Sequence, residues 1–294
     1  MKAALLDTFQ KDSLAFWNAF FRELDFELVS ARNSEQEALD LGRESLPTEP
    51  RHVQYAVGRL IDFHMQGATV IVPRPAEVIG DKIDANPWLT EFPLVANYRL
   101  SLPRPEQVLT YGEEDIQRSA LTLGTQLTSN PQRARMAWER HKPLLKSKRK
   151  ELVTEVAGYR TVAVIAPRYL LQQDIHVAPA LEALKEYGLL PLLSSDLDRS
   201  EALDRASRID VKVSTDIEQE LAGALSLLDG KGFIQGVVFL VPERSEAHQK
   251  FIKDLVKKTR KPSLVLTLQD TPELVDHGQI RAFVERLEQS RTVQ

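Results

Sequence analysis

An α/β fold of two tandem Rossmann-like parallel-sheet halves is what this sequence predicts, on three observations. Short apolar runs alternate with segments of helical period almost throughout, the pattern of βαβ units with right-handed crossovers. A length of 294 residues is long for one core and suits two domains of ordinary size. A proline-dense stretch and then a helical one separate the two sets of strands. The expected organisation is an N-terminal α/β domain over 1–112, a helical connection over 113–158 and a C-terminal α/β domain over 159–294.

In the first half the strand-like runs are Ala3 to Leu6, Glu27 to Val29 and Thr69 to Val72. Between the first two, Phe16, Ala19, Phe20 and Leu24 recur at helical spacing, with Asp12 or Ser13 placed to cap the helix. Val57, Leu60, Ile61 and His64 repeat that pattern, and Gly67 suits the residue past the helix end. Six prolines (Pro73, Pro75, Pro87, Pro93, Pro103 and Pro105) make 73–112 read as ordered loops over the sheet edge. Helical stretches start near Glu113 and at Pro131, where Asn130 can cap and Pro131 suits the first helical position. The second half opens with Thr161 to Ala166. A helix from about His176 to Tyr187 stops at Gly188, and strands follow at Leu189 to Leu193, Gly236 to Val241 and Ser263 to Leu268. Phe251, Ile252, Leu255 and Val256 mark one more helix and Ile280, Phe283, Val284 and Leu287 the last. The two halves share one plan, though their sequences barely match.

Composition removes several classes of function. A net charge of −4 and a pI near 5.9 argue against a dedicated nucleic-acid binder. No window approaches 18 uninterrupted apolar residues, so no membrane span is expected. The N-terminus lacks a signal-peptide pattern, and a cytoplasmic location is the expectation. With no cysteine there are no disulfides, thiolate zinc sites, cysteine nucleophiles or cysteine-bound clusters. GxGxxG, GxxxxGK[ST] and GxSxG motifs are absent. The six histidines make no HxxxH pair, and the Glu49/His52 spacing stands alone, without the second set a metal would use. Two lysine- and arginine-rich runs, 142–150 and 253–261, read as solvated faces, which places nucleic acid last among partners.

One constellation points to a ligand. Three strands end in similar punctuation: Val72-Pro73-Arg74, Ala166-Pro167-Arg168 and Val241-Pro242-Glu243-Arg244. Ligands of open α/β sheets bind beyond the carboxyl ends of the strands, and a proline there fixes the backbone ahead of the arginine. Guanidinium groups of Arg74, Arg168 and Arg244 converging on an interdomain cleft would suit a carboxylate or phosphate. The alternative is that each arginine pairs locally with an acid such as Asp174, Glu243 or Asp270.

The string Ala166-Pro167-Arg168-Tyr169 with Asp174 resembles the strand-G-R-P-Y-x-D stretch of the 2-hydroxyacyl-CoA dehydratase superfamily. The chain is most similar to the domain that follows the ATPase module in the large CoA-substrate-specific enzyme activase proteins. Phe16-Trp17 to Phe21, Glu23-Leu24 and Phe26-Glu27-Leu28-Val29 resemble that domain's FW…FFxELGFEVV, and Gly67 to Pro73 resembles its GVDFIFIP. Asn86-Pro87-Trp88 with Phe92-Pro93, Gly236 to Leu240 with Pro242, and Arg281 to Glu285 match further motifs in the same order. In that family cysteines at such motifs ligate a [4Fe–4S] cluster used in electron transfer. Here their positions fall on Pro50 or Arg51, on Asn86 and near Leu240, none of which supplies a thiolate. The motif glycine is Ala166, and Gln269 stands where the family has an acid, with Asp270 displaced by one.

The expectation is therefore a cluster-free, non-catalytic relative acting as a binding, regulatory or assembly subunit. It would hold an anionic small molecule, a CoA-type ligand among them, at Arg74, Arg168, Tyr169, Asp174 and Arg244, and would meet a protein partner or a second copy of itself. No metal and no iron–sulfur cofactor is expected. The alternative is a cluster-free enzyme acting on an acyl-CoA or other anionic substrate. Its candidate groups would be Asp7, Arg74, Arg168, Tyr169, Asp174 and Glu243, among which no nucleophile–base pair is legible.

Overall fold

The computed structural model describes residues 1–9, 11, 13–74, 87–109, 112–145, 159–269 and 275–292. They form two compact units, one within 1–145 and one within 159–292, each built on a four-stranded, all-parallel sheet flanked by helices.

The first unit runs β1 (Lys2–Leu5), α1 (Leu14–Glu23), β2 (Glu27–Leu28), α2 (Glu35–Ser45), α3 (Arg51–Met65) and β3 (Thr69–Pro73). It continues through α4 (Pro87–Thr90), α5 (Phe92–Leu100), β4 (Glu106–Val108), α6 (Glu113–Thr128) and α7 (Pro131–His141). The strand order is β2-β1-β3-β4. Two sequence expectations change here. The stretch 73–112, read as loops, contains two helices and an edge strand. Pro87 and Pro93 stand in first turns, where no backbone donor is needed, so they start helices and break none. The segment read as a separate connection begins with α6 and α7, which belong to the first unit. Ile116, Leu123 and Trp138 close over the α1 aromatics Phe16, Trp17, Phe20 and Phe21, which a short sheet could not bury alone. Trp17 stacks on Phe21 at 5.7 Å, and Trp138 meets Phe16 edge-on at 5.3 Å. Residues 146–158 of that segment lie outside the described residues.

The second unit runs β5 (Arg160–Ile165), α8 (Arg168–Leu171), α9 (Asp174–Glu186), β6 (Leu189–Leu193), α10 (Arg199–Arg205), α11 (Asp216–Asp229), β7 (Gly236–Pro242), α12 (Glu246–Val256), β8 (Ser263–Leu268) and α13 (His277–Thr292). Its order, β6-β5-β7-β8, repeats that of the first sheet. β7 is buried at every position, as a central parallel strand should be. Caps read from sequence recur: Asn130 accepts from the Arg133 amide at 3.0 Å, and Gly67 and Gly188 take φ of +70° and +73°. Ser13 precedes α1 without a side-chain capping bond, and Asp12 lies outside the described residues.

Superposing the two strand orders exposes a correspondence that straight sequence comparison hides. The amide of Arg74 donates to the Val108 carbonyl as that of Glu243 does to Leu268, so residues 74 and 243 are equivalent. The registers β1/β3 and β5/β7 then equate Asp7 with Arg168 and Thr8 with Tyr169. The helix pairs between the second and third strands agree as well. Ser34 and Asp198 are the N-caps of α2 and α10, and each is followed by a Glu-Ala-Leu-Asp, at 37–40 and 201–204. Gly58 and Gly223, each the eighth residue of its helix, let α3 and α11 lie directly against the Ala38 and Ala202 carbonyls.

Candidate functional site

Each sheet has one point where its connections leave in opposite directions, between β1 and β3 and between β5 and β7. The carboxyl ends there are where an open parallel sheet leaves a crevice for ligands.

At the second of these edges Arg168 does not present its guanidinium to a ligand. Nε donates to Glu220 at 2.7 Å, Nη1 to the Ser195 carbonyl at 2.9 Å and Nη2 to the Leu197 carbonyl at 3.2 Å. Arg199 bonds the other Glu220 oxygen at 3.1 Å and Asp216 at 2.6 Å. Two cations and two anions thus close on one another beneath the surface, tying the segment after β6 to α11. The expectation that Arg168 serves an anion cleft gives way to local pairing, with Glu220 in place of the acids anticipated. Position in the chain decided this: Arg168 begins the short helix α8 with its side chain buried, and a buried guanidinium must be neutralised where it stands.

Tyr169, next along, is only 2% exposed and meets the His248 ring edge-on at 6.3 Å. Burial holds its phenol above the ordinary range. His248 shares a hydrogen bond at 2.7 Å between its Nδ1 and the Ser245 hydroxyl. Burial pushes its pKa down to about 4. Sequence reading passed over this pair because a Ser and a His three residues apart carry no motif. Glu243, Arg244 and Asp174 are exposed at the same end of the sheet.

The buried imidazole sets a pH dependence. Its folded pKa lies below the unfolded value near 6.5, so the unfolded chain binds the extra proton first. Stability is complete above about pH 6.5 and is lost as pH falls toward 4, by about 3 kcal/mol. Denaturant titrations at pH 7 and pH 4 are expected to show that loss in the wild type and to show it removed in His248→Gln. Equal pH slopes in the two proteins would contradict it.

At the first edge stand Asp7, Thr8 and Arg74. Burial raises the Tyr55 phenol, the Arg59 hydrogen bond opposes the rise, and the charges of the Glu35 and Asp7 carboxylates add to it. Arg59 donates to Tyr55 Oη and to the Asn33 carbonyl. Thr8 is 3% exposed, and its hydroxyl makes no hydrogen bond.

The donor set does not fit an iron–sulfur cluster. Of the positions where the resemblance puts cysteines, Pro50 precedes α3 and Arg51 begins it, Leu240 is sealed inside β7 with no exposure, and Asn86 lies outside the described residues. Among the described residues no group of three or more His, Cys, Asp or Glu side chains is arranged to hold a metal. Glu49, half of the spaced pair noted in the sequence, bonds Arg99. The second lysine-rich run is partly consumed: Lys257 pairs with Asp254, Lys258 with Asp210, and Lys261 donates to the carbonyls of Lys231 and Ile234. Within the first run, Lys142 pairs with Glu139, and 146–150 lie outside the described residues.

Fold and edges together define a two-unit α/β protein with one topological switch point in each sheet. No protein-family model matches the chain, and no curated protein matches it. Among the described residues, no helix is long and apolar enough to cross a membrane.

Proposed function

We propose that this chain is a binding, regulatory or assembly subunit. It is built on the scaffold of the 2-hydroxyacyl-CoA dehydratase and activase proteins, lacks their cluster, and holds an anionic molecule of CoA type. The observation that carries the reading is the loss of every thiolate from a sequence that otherwise keeps the order of that family's motifs. Without soft donors the scaffold is left with charge and shape as its means of recognition. A cluster-free enzyme is the second reading, favoured by the Ser245–His248 pair. Both side chains are buried, at 4% and 6% exposure, which leaves the binding role ahead.

Native mass spectrometry of the full chain from fresh lysate tests the reading, with iron and acid-labile sulfide assayed on the same sample. The expected protein is colourless and iron-free, and carries a bound phosphorylated or carboxylated small molecule. The same spectrum reports whether it travels alone, as a homo-oligomer or with a partner. Stoichiometric iron and sulfide would end the proposal.

A further inference from the structure

Helix α7 carries two stripes. Ala134, Ala137 and Trp138 are buried, the last two in the cluster built on the α1 aromatics. Along the other side Gln132, Arg135, Met136, Glu139 and Arg140 repeat the i, i+3, i+4, i+7, i+8 spacing of a packed face, yet all five are exposed. Met136 shows 59% of its surface. Gln132 and Met136 line two hollows at once, which makes them one groove. The first, of about 520 Å³, takes in Arg22 and Asp25 at the end of α1, and the second, of about 840 Å³, takes in Arg135 and Arg140.

Charge is divided unevenly there. The three acids of the groove are already neutralised, Asp25 by Arg133, Glu23 by Arg140 and Glu139 by Lys142. The guanidinium groups of Arg22 and Arg135 make no hydrogen bond or ion pair with any described residue. In a chain of net charge −4, two unmatched arginines around an exposed methionine are a local positive excess with an apolar centre. Methionine moulds to an apolar anchor, arginine stems add apolar area, and their planar forks take carboxylates two bonds at a time.

We infer that the α1–α7 groove of the first unit docks an acidic segment of a protein partner. An apolar residue of that segment seats on Met136, and its Asp or Glu side chains bond Arg22 and Arg135. Carboxylates interspersed along the groove repel a polyphosphate backbone, whose charges are continuous, so the occupant is a peptide and not a nucleic acid. The inference rests on the reading of an assembly subunit, to which it adds a surface and a partner chemistry. It is independent of the bound small molecule.

Fluorescence anisotropy of the full chain with a fluorescein-labelled amphipathic peptide, glutamate along one side and leucine along the other, tests it. That peptide is expected to bind, and less tightly as sodium chloride is raised. Versions with lysine for glutamate, or glutamine for leucine, should bind more weakly by about 10-fold or more. Arg22→Gln, Arg135→Gln and Met136→Gln are each expected to weaken the parent peptide by about 5-fold or more. All three should melt with the wild type, since exposed side chains without partners hold nothing in the fold. Arg208→Gln, at an exposed arginine of the second unit, should leave affinity within about 2-fold. Equal affinity for the glutamate and lysine peptides, tighter binding of a single-stranded oligonucleotide, or an affinity untouched by the three groove variants would each overturn the inference, as would no binding at all. The native mass spectrum judges the proposed function separately: a wild type that retains a partner there and ignores the peptide here loses this groove and keeps its assembly role.

Discussion

Replacing Glu220 by glutamine is expected to destabilise the second unit by about 3–5 kcal/mol, among the largest effects of any single polar substitution in the molecule. Glu220 neutralises Arg168 and Arg199 together, and the side chains involved are between 8% and 12% exposed. Removing its charge leaves two guanidinium groups in a region of low polarisability without the carboxylate that bridges them, although Asp216 still pairs with Arg199. Chemical denaturation followed by far-UV circular dichroism measures the loss. Asp210→Ala, which breaks the solvent-exposed pair with Lys258, should produce no measurable change. A loss below about 1 kcal/mol in Glu220→Gln would mean that the four charges are not the closed block described above.

Gly58→Ala and Gly223→Ala are expected to cost at least about 2 kcal/mol each, although alanine is the better helix former by up to about 1 kcal/mol. A methyl group at either position would overlap a backbone carbonyl oxygen, of Ala38 or of Ala202, and neither backbone can step aside as a flexible side chain could. The helices must separate along their whole contact. Gly230 supplies the contrast: a Cβ there meets nothing within 4 Å, so Gly230→Ala should be neutral or slightly stabilising. The first unit contains all three tryptophans, Trp17, Trp88 and Trp138. Gly58→Ala should therefore shift the unfolding transition seen by tryptophan fluorescence. An unchanged transition would show that α2 and α3 can repack.

Much of this architecture was legible in the residues. The central strands announced themselves because parallel strands buried on both faces are continuous apolar runs, as at 161–166 and 236–241. The helices α2, α10 and α11 and the edge strand β4 were not read. Glu35 to Ser45 has a low mean hydropathy and buries little beyond Ala38, Leu39 and Gly42, so too few large apolar residues mark it. β4 is three residues between prolines and a turn, too short to show alternation. The site was half legible. Proline-terminated strands marked the carboxyl ends of β3 and β7, but Glu220, the partner of Arg168, lay 52 residues away on an unread helix, where no local pattern could point to it. The buried Thr8 hydroxyl left no trace in sequence, since burial is a property of the fold.

The superposed edges carry opposite signs: Asp7 against Arg168, Glu35 against Arg199, Arg51 against Asp216, Arg74 against Glu243. While the chain is still collapsing, two look-alike scaffolds joined in one polypeptide could trade crossover segments, a common failure of tandem architectures. Were α10 and α11 to dock on the wrong sheet, Glu220 would confront Asp7, and that mismatch would go unrelieved. The inversion works as a lock that admits only its own key.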